Sequence, residues 1–133
     1  QRHRLRCIHA GAVASKVRLA RHCKQEQCDL CPTCGQRPET VEHIFIECPK
    51  YEGIRASSLS LEFWRSLPDG VKITGLLPKH FAIPDDFGLG LTGRQNLACR
   101  LQYTLLDILE ARSKLLPQVP QPRWQRNVQR RVG

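Results

Sequence analysis

The sequence predicts a mostly α-helical fold: a small domain organised around one cluster of metal-ligating side chains, with a long C-terminal helix and a flexible basic tail. Three observations carry this expectation. Leu97, Leu101, Leu105, Ile108, Leu109, Leu115 and Leu116 recur at helical steps and mark a dominant apolar stripe. Cys31, Cys34, His43 and Cys48 stand in the order C-x2-C-x8-H-x4-C within one short stretch. Beyond Pro117 the sequence PQVPQPRWQRNVQRRVG is rich in Pro and Arg, as expected of a flexible linker into a basic end.

Residues 2–23 place Leu5, Ile8 and Ala12, then Val13, Val17 and Ala20, at three- and four-residue steps, so this stretch reads as helical. Gly11 divides it into two short helices, with Ser15 near the second start. Ligand and turn residues dominate from Gln25 to Gln36, where irregular or hairpin backbone is expected. Thr40 is a candidate N-cap for a short helix through Glu47, with Glu42 favourable in its first turn. His43 and Cys48 are five residues apart, about 140° around a regular α-helix, so they diverge if the helix continues. Pro49 disfavours helical backbone at Cys48 and so bends the thiolate back. It then opens the next helix, through Tyr51, Ile54 and Arg55. Ile44, Phe45 and Ile46 supply the small core beneath the ligands. A helical segment follows from Ser60 to Leu67, burying Leu61, Trp64 and Phe63. Pro68-Asp69-Gly70 reads as a turn, and 71–91 shows no sustained period. Thr92 precedes the longest helix, expected to reach Leu116 before Pro117 stops it. The organisation expected is a basic helical segment plus ligand knuckle over 1–57, a helical remainder of the same domain over 58–116, and a tail over 117–133.

Three thiols and one imidazole form a complete Cys3His set for a single tetrahedral Zn²⁺. Gly35 suits the sharp turn after the second thiolate because it tolerates positive φ. Four protein ligands close the coordination sphere, so the ion is expected to be structural. Cys28 leaves alternatives open. Cys28-x2-Cys31-x2-Cys34 contains two overlapping pairs, and with Cys48-Pro49 it is similar to an iron–sulfur ligand run in which His43 is idle. Cys28 in place of Cys31 as zinc ligand is the other alternative. Cys7, Cys23 and Cys99 read as small buried side chains, and His22 as a solvent-facing residue on a basic helix.

The same residues resemble the zinc-binding domain that lies C-terminal to the reverse transcriptase in non-LTR retrotransposon polyproteins. The resemblance runs through Cys31, Pro32, Cys34, Gly35, Glu39, Thr40, His43, Ile44, Phe45, Cys48, Pro49 and Tyr51, with the basic stretch from Lys16 to Arg21 upstream. It covers about residues 5 to 56 and fades beyond Ser57. It implies zinc held by Cys31, Cys34, His43 and Cys48, since the family pattern begins at the Cys31 position. It also implies nucleic-acid binding beside a polymerase, with other domains of the parent polyprotein as partners and no catalysis by this segment.

Charge points the same way. The 133-residue chain carries a net charge of +9, with seven Lys/Arg and no acid in residues 1–24. Residues 117–133 add four Arg, whereas 25–116 hold ten basic and twelve acidic residues, a balance of −2. Cationic ends on a nearly neutral body are expected to meet phosphate, through Arg2, Arg4, Arg6, Lys16, Arg18, Arg21, Lys24 and Arg37. Trp124 among the tail arginines is a candidate base-stacking residue. The competing reading is a zinc-stabilised protein-interaction module that uses the long helix. A hydrolase or nuclease lacks an acid/base or open-metal constellation, and Asp85-Asp86 reads as a turn rather than a catalytic pair. The odd count of seven Cys argues against a disulfide framework. No apolar stretch is long enough to span a membrane. The expected location is intracellular, nuclear or cytoplasmic, and not secreted. The absence of Met and the start at Gln1 lead us to expect a fragment of a longer product.

Overall fold

The computed structural model describes residues 2–11, 13–22 and 29–115. Cys23, Lys24, Cys28, Leu116, Trp124 and the whole of 117–133, with the side chain of His22, lie outside what is described. The architecture is helical: α1 (Arg2–His9), α2 (Lys16–His22), a π-helical turn (His43–Glu47), a 3-10 turn (Pro49–Tyr51), α3 (Glu52–Ser58), α4 (Leu61–Ser66), α5 (Asp69–Thr74), a second 3-10 turn (Asp85–Phe87) and α6 (Gly90–Leu115). Among the described residues the only extended pairing is an isolated antiparallel bridge between Leu30 and Pro38. None of these helices is long and apolar enough to cross a membrane.

The local chemistry explains most boundaries. Gly11, at φ +63°, follows the end of α1, and the Ser15 hydroxyl accepts the Arg18 N–H at 3.2 Å to cap α2. Ser60 caps α4 in the same way, accepting from Phe63 N at 3.1 Å. Residues 69–74, expected as a turn followed by irregular chain, instead form α5. Pro68 precedes it, Asp69 sits in its first turn, and Gly75 ends it in the left-handed conformation at φ +69°. Those are start and stop signals in the right order, and a helix this short shows too few turns for a period to emerge. Helix α6 begins at Gly90, two residues before the expected Thr92. Its first turn is fixed by a close crossing: a Cβ at the buried Gly93 would collide with the Gly88 carbonyl.

Helix α6 is the spine. Leu97, Leu101, Leu105 and Ile108 are fully buried along it, and α1, α3, α5 and the π-helical turn pack against that stripe. Ile8, Ile44, Phe45, Tyr51, Trp64 and Val71 complete the core. The expected stripe stops short of Leu115, which is exposed. On the solvent side Arg4 of α1 reaches Glu110 of α6 at 2.6 Å, and that contact holds the Glu110 carboxyl below its ordinary value.

One buried ion pair ties distant segments together. Glu39 is 0% exposed, and the Arg112 guanidinium donates to both its oxygens, at 2.6 and 3.1 Å. The same carboxylate accepts the Lys16 backbone N–H at 2.9 Å, and Arg112 also donates to the Ala14 carbonyl at 3.1 Å. The start of α2, the ligand loop and the end of α6 therefore meet on one carboxylate. Removing one partner of such a pair strands the other charge, which costs about 3–5 kcal/mol. Arg112→Met should lower unfolding free energy in urea by about that amount, with Glu39→Gln/Arg112→Met recovering part of the loss. A loss of less than about 1 kcal/mol for Arg112→Met would show that Glu39 does not depend on this partner.

Candidate metal centre

The loop that carries the first two cysteines is pinned across its neck. Cys31 N donates to Arg37 O at 2.8 Å, and Glu39 N donates to Asp29 O at 2.7 Å. Inside this hairpin the chain reverses after Cys34 through Gly35, at φ +67°, as expected for the residue after the second thiol. Gly35 N donates back to Cys31 O at 2.8 Å, which holds the two cysteines of the pair on one side of the turn. Tyr51, buried beneath, makes a 2.8 Å hydroxyl–hydroxyl bond with Thr33 between them.

The other two ligands come from the segment opened by Thr40, whose hydroxyl accepts the His43 N–H at 3.0 Å. From His43 onward the helix is π rather than α. Cys48 N donates to His43 O at 2.7 Å, an i→i+5 closure. The divergence expected for an α-helix is thus avoided by widening the turn by one residue. Cys48 itself is extended, at φ −63° and ψ +118°, and Pro49 opens the 3-10 turn after it.

Together these pieces bring Cys31, Cys34, His43 and Cys48 to one point, their ligand atoms all within 4.8 Å of one another. Cys31 Sγ and Cys48 Sγ are 3.9 Å apart, and Cys34 Sγ lies 3.3 Å from His43 Nε2. Two sulfurs bound tetrahedrally to one ion at about 2.3 Å stand about 3.8 Å apart, and a sulfur and an imidazole nitrogen about 3.5 Å. These two edges are close to those of such a tetrahedron, so these four side chains can hold a metal ion. Nε2 is the imidazole nitrogen that faces the sulfurs. Among the described residues Nδ1 is buried without a hydrogen-bond partner, and the nearest carboxylate oxygen, on Glu47, is 3.6 Å away, beyond hydrogen-bonding range.

Access is one-sided. Cys31 and Cys48 are buried, while Cys34 is half-buried beside a surface cavity of about 240 Å³ lined by Gln36, Arg37, His43, Glu47 and Pro49. Arg55 is also buried here, donating to the carbonyls of Phe45, Cys48 and Ile44 at 2.7, 2.8 and 3.1 Å. In the sequence Glu39 appears only as a motif position and Arg55 only as a residue of the helix after Pro49, neither with a sign of its supporting role. An Arg three residues into a helix looks like an exposed charge, and only the fold reveals that both are enclosed.

Of the candidate phosphate-contacting residues, Arg37 lines the cavity at this centre and Arg18 and Arg21 the groove next to it. Arg2, Arg6, Arg18, Arg21 and Arg37 are exposed, Lys16 is partly covered, and none of the six pairs with a carboxylate among the described residues. Arg4 is engaged by Glu110. Arg18 and Arg21 line an open groove of about 450 Å³ between α2 and the segment that leads to His43, along with Ser15, Val17, Thr40, Val41 and Glu42. Asp85 and Asp86 are exposed in their 3-10 turn and join no cluster of three or more potential metal ligands among the described residues.

The ligand thiols differ in acidity before any ion binds. The Gln36 backbone N–H, with help from His43 and Cys31, outweighs burial and lowers Cys34 to about 7. Burial pushes Cys48 up to about 12, against the pull of the Lys50 backbone N–H and with Cys31 and Cys34 adding to the rise. An ion takes thiolates, so binding must expel the Cys48 proton at any pH below about 12, but the Cys34 proton only below about 7. Affinity should therefore climb with pH. The slope of log affinity against pH should fall by about one proton as pH rises through about 7. Titrating the metal-free chain with Co²⁺ at several pH values, followed by thiolate-to-metal absorption, measures this slope. A pH-independent affinity would mean that the thiols are not the ligands.

Comparison of the chain with protein-family models, curated proteins and solved structures finds no match.

Proposed function

We propose that the chain is a zinc-stabilised nucleic-acid-binding module, of the kind that accompanies the reverse transcriptase in non-LTR retrotransposon polyproteins. A closed Cys3His set at tetrahedral spacing favours Zn²⁺ over ions that prefer oxygen or higher coordination, and the imidazole facing the sulfurs disfavours an iron–sulfur cluster. The observation that carries the binding half is the groove beside the centre. Arg18 and Arg21 face it from α2, opposite Glu42 but without a carboxylate in ion-pairing range among the described residues, at a fixed position relative to the metal loop. Two guanidinium groups along a groove suit phosphate, and such contacts position a strand without reading its sequence. Arg2, Arg6, Lys16 and Arg37 extend the cationic surface, and the zinc serves to hold the loop in place. On this reading the module does no chemistry of its own, lies inside the cell, and works beside other domains of a larger polyprotein. The motif from Cys31 to Tyr51 is the support for that context.

One observation favours a second reading, a protein-interaction module. Leu91 and Tyr103 on α6, with Leu89 just before it, are exposed apolar side chains. Salt separates the two, because phosphate neutralisation loses affinity steeply as salt rises and an apolar contact does not.

Elemental analysis should find about one zinc per chain, and His43→Ala should abolish tight binding, since structural zinc supplies on the order of 10 kcal/mol of local folding free energy. Iron with sulfide in place of zinc would overturn the assignment. In gel shifts across salt, Arg18→Gln/Arg21→Gln should weaken binding to RNA and DNA of many sequences alike. The logarithmic salt slope should drop by about 0.7 to 0.9 for each phosphate that is no longer neutralised, with zinc content intact. Unchanged affinity and slope in that variant would move recognition to another surface or favour the protein-interaction reading.

A further inference from the structure

Arg55 is 3% exposed and has no carboxylate within ion-pairing distance among the described residues. The one acid on its own helix, Glu52, is engaged by Arg65 at 2.9 Å. A buried guanidinium without a counter-charge is costly, and hydrogen bonds to neutral carbonyls satisfy its N–H groups without cancelling its charge. The carbonyls it holds are those of Ile44, Phe45 and Cys48, so its charge sits against the backbone that presents His43 and Cys48 to the metal site.

The metal site needs the opposite charge. Three thiolates and a neutral imidazole around a divalent ion leave one excess negative charge, and Cys31 and Cys48 are both buried with it. We infer that Arg55 is the buried counter-cation of the metal–thiolate centre, a positioning residue whose charge makes the closed Cys3His complex stable in a dry site. The inference rests on the reading of the cluster as a divalent-metal site. It explains together, among the described residues, the missing carboxylate on Arg55 and the burial of Cys31 and Cys48 with no cationic side chain hydrogen-bonded to their sulfurs. It also divides the labour of one side chain. The three hydrogen bonds fix the turn, while the charge acts on the ion.

Two variants separate these roles. Arg55→Lys keeps the charge and gives up most of the three-pronged geometry. Arg55→Gln keeps a hydrogen-bonding side chain and loses the charge. Metal affinity is read by competition between the full chain and a chelator for Zn²⁺, and the geometry of the centre by the ligand-field bands of Co²⁺. We expect Arg55→Gln to lose about 10- to 100-fold in affinity, the range seen when a group supporting the ligands is removed. Arg55→Lys should stay within about threefold of the parent, with Co²⁺ bands of tetrahedral type. A loss of tenfold or more in Arg55→Lys would assign the residue to backbone capping alone and overturn the inference, whether or not Arg55→Gln folds. So would parental affinity in Arg55→Gln. Failure of the parent chain itself to bind a divalent ion would instead overturn the metal reading on which the inference rests.

Discussion

The bond from Cys48 N to His43 O, 2.7 Å long, closes a backbone ring one residue wider than an α-helical turn. Much of the site's geometry follows from that widening. It presents an imidazole and a thiolate five residues apart to one point, which an α-helix would place on different faces. Arg55 takes the Ile44 and Phe45 carbonyls of the turn and shares the Cys48 carbonyl that follows it with the Tyr51 N–H. The widening also lets the chain leave through an extended Cys48 into Pro49 and on to α3. Ile44 and Phe45 on the same turn are fully buried, so the core and the ligand set share one strip of backbone.

Around that strip the protein encloses more charge than a small domain usually can. Glu39, Arg55 and Lys72 are all buried. Each has a different solution. Glu39 has a bidentate arginine and a backbone N–H. Lys72 reaches the Arg65 carbonyl at 3.3 Å, with Asp69 at 3.8 Å. Arg55 has three backbone carbonyls. Such groups add little net stability, but they accept only one arrangement of the segments that partner them, and a loop-rich ligand site needs that specificity.

The ligand set, the hairpin, the Ser15 and Thr40 caps and the apolar stripe of α6 were legible in the sequence, because each follows from a short-range rule. Spacing places ligands, a hydroxyl before a helix caps it, and a repeat near 3.6 buries one face. What escaped was set by tertiary context. The π-helical turn leaves no trace in the spacing of Ile44, Phe45 and Ile46. Helix α5 is too short to show a period, although Pro68, Asp69 and Gly75 marked its ends. Glu39 could be noticed only as part of a motif, and its partner Arg112 lies 73 residues away. Leu115 obeyed the pattern but lies exposed near the end of α6.

The two closures that hold the domain together differ in the length of chain they span. Cys31 and Cys48 are 17 residues apart, whereas Glu39 and Arg112 are 73 apart. Loop-closure entropy makes the longer link about 1.3 kcal/mol costlier before any contact rewards it. On the proposed reading, in which an ion joins the ligand loop, that loop is the closure assembled from local chain alone and so the natural early nucleus. Helix α6 has the longer closure to make, through Arg112. On that reading an ion that arrives late finds a chain that must complete its longer closure without its shorter one, so the timing of metal supply during synthesis bears on yield as much as its affinity does.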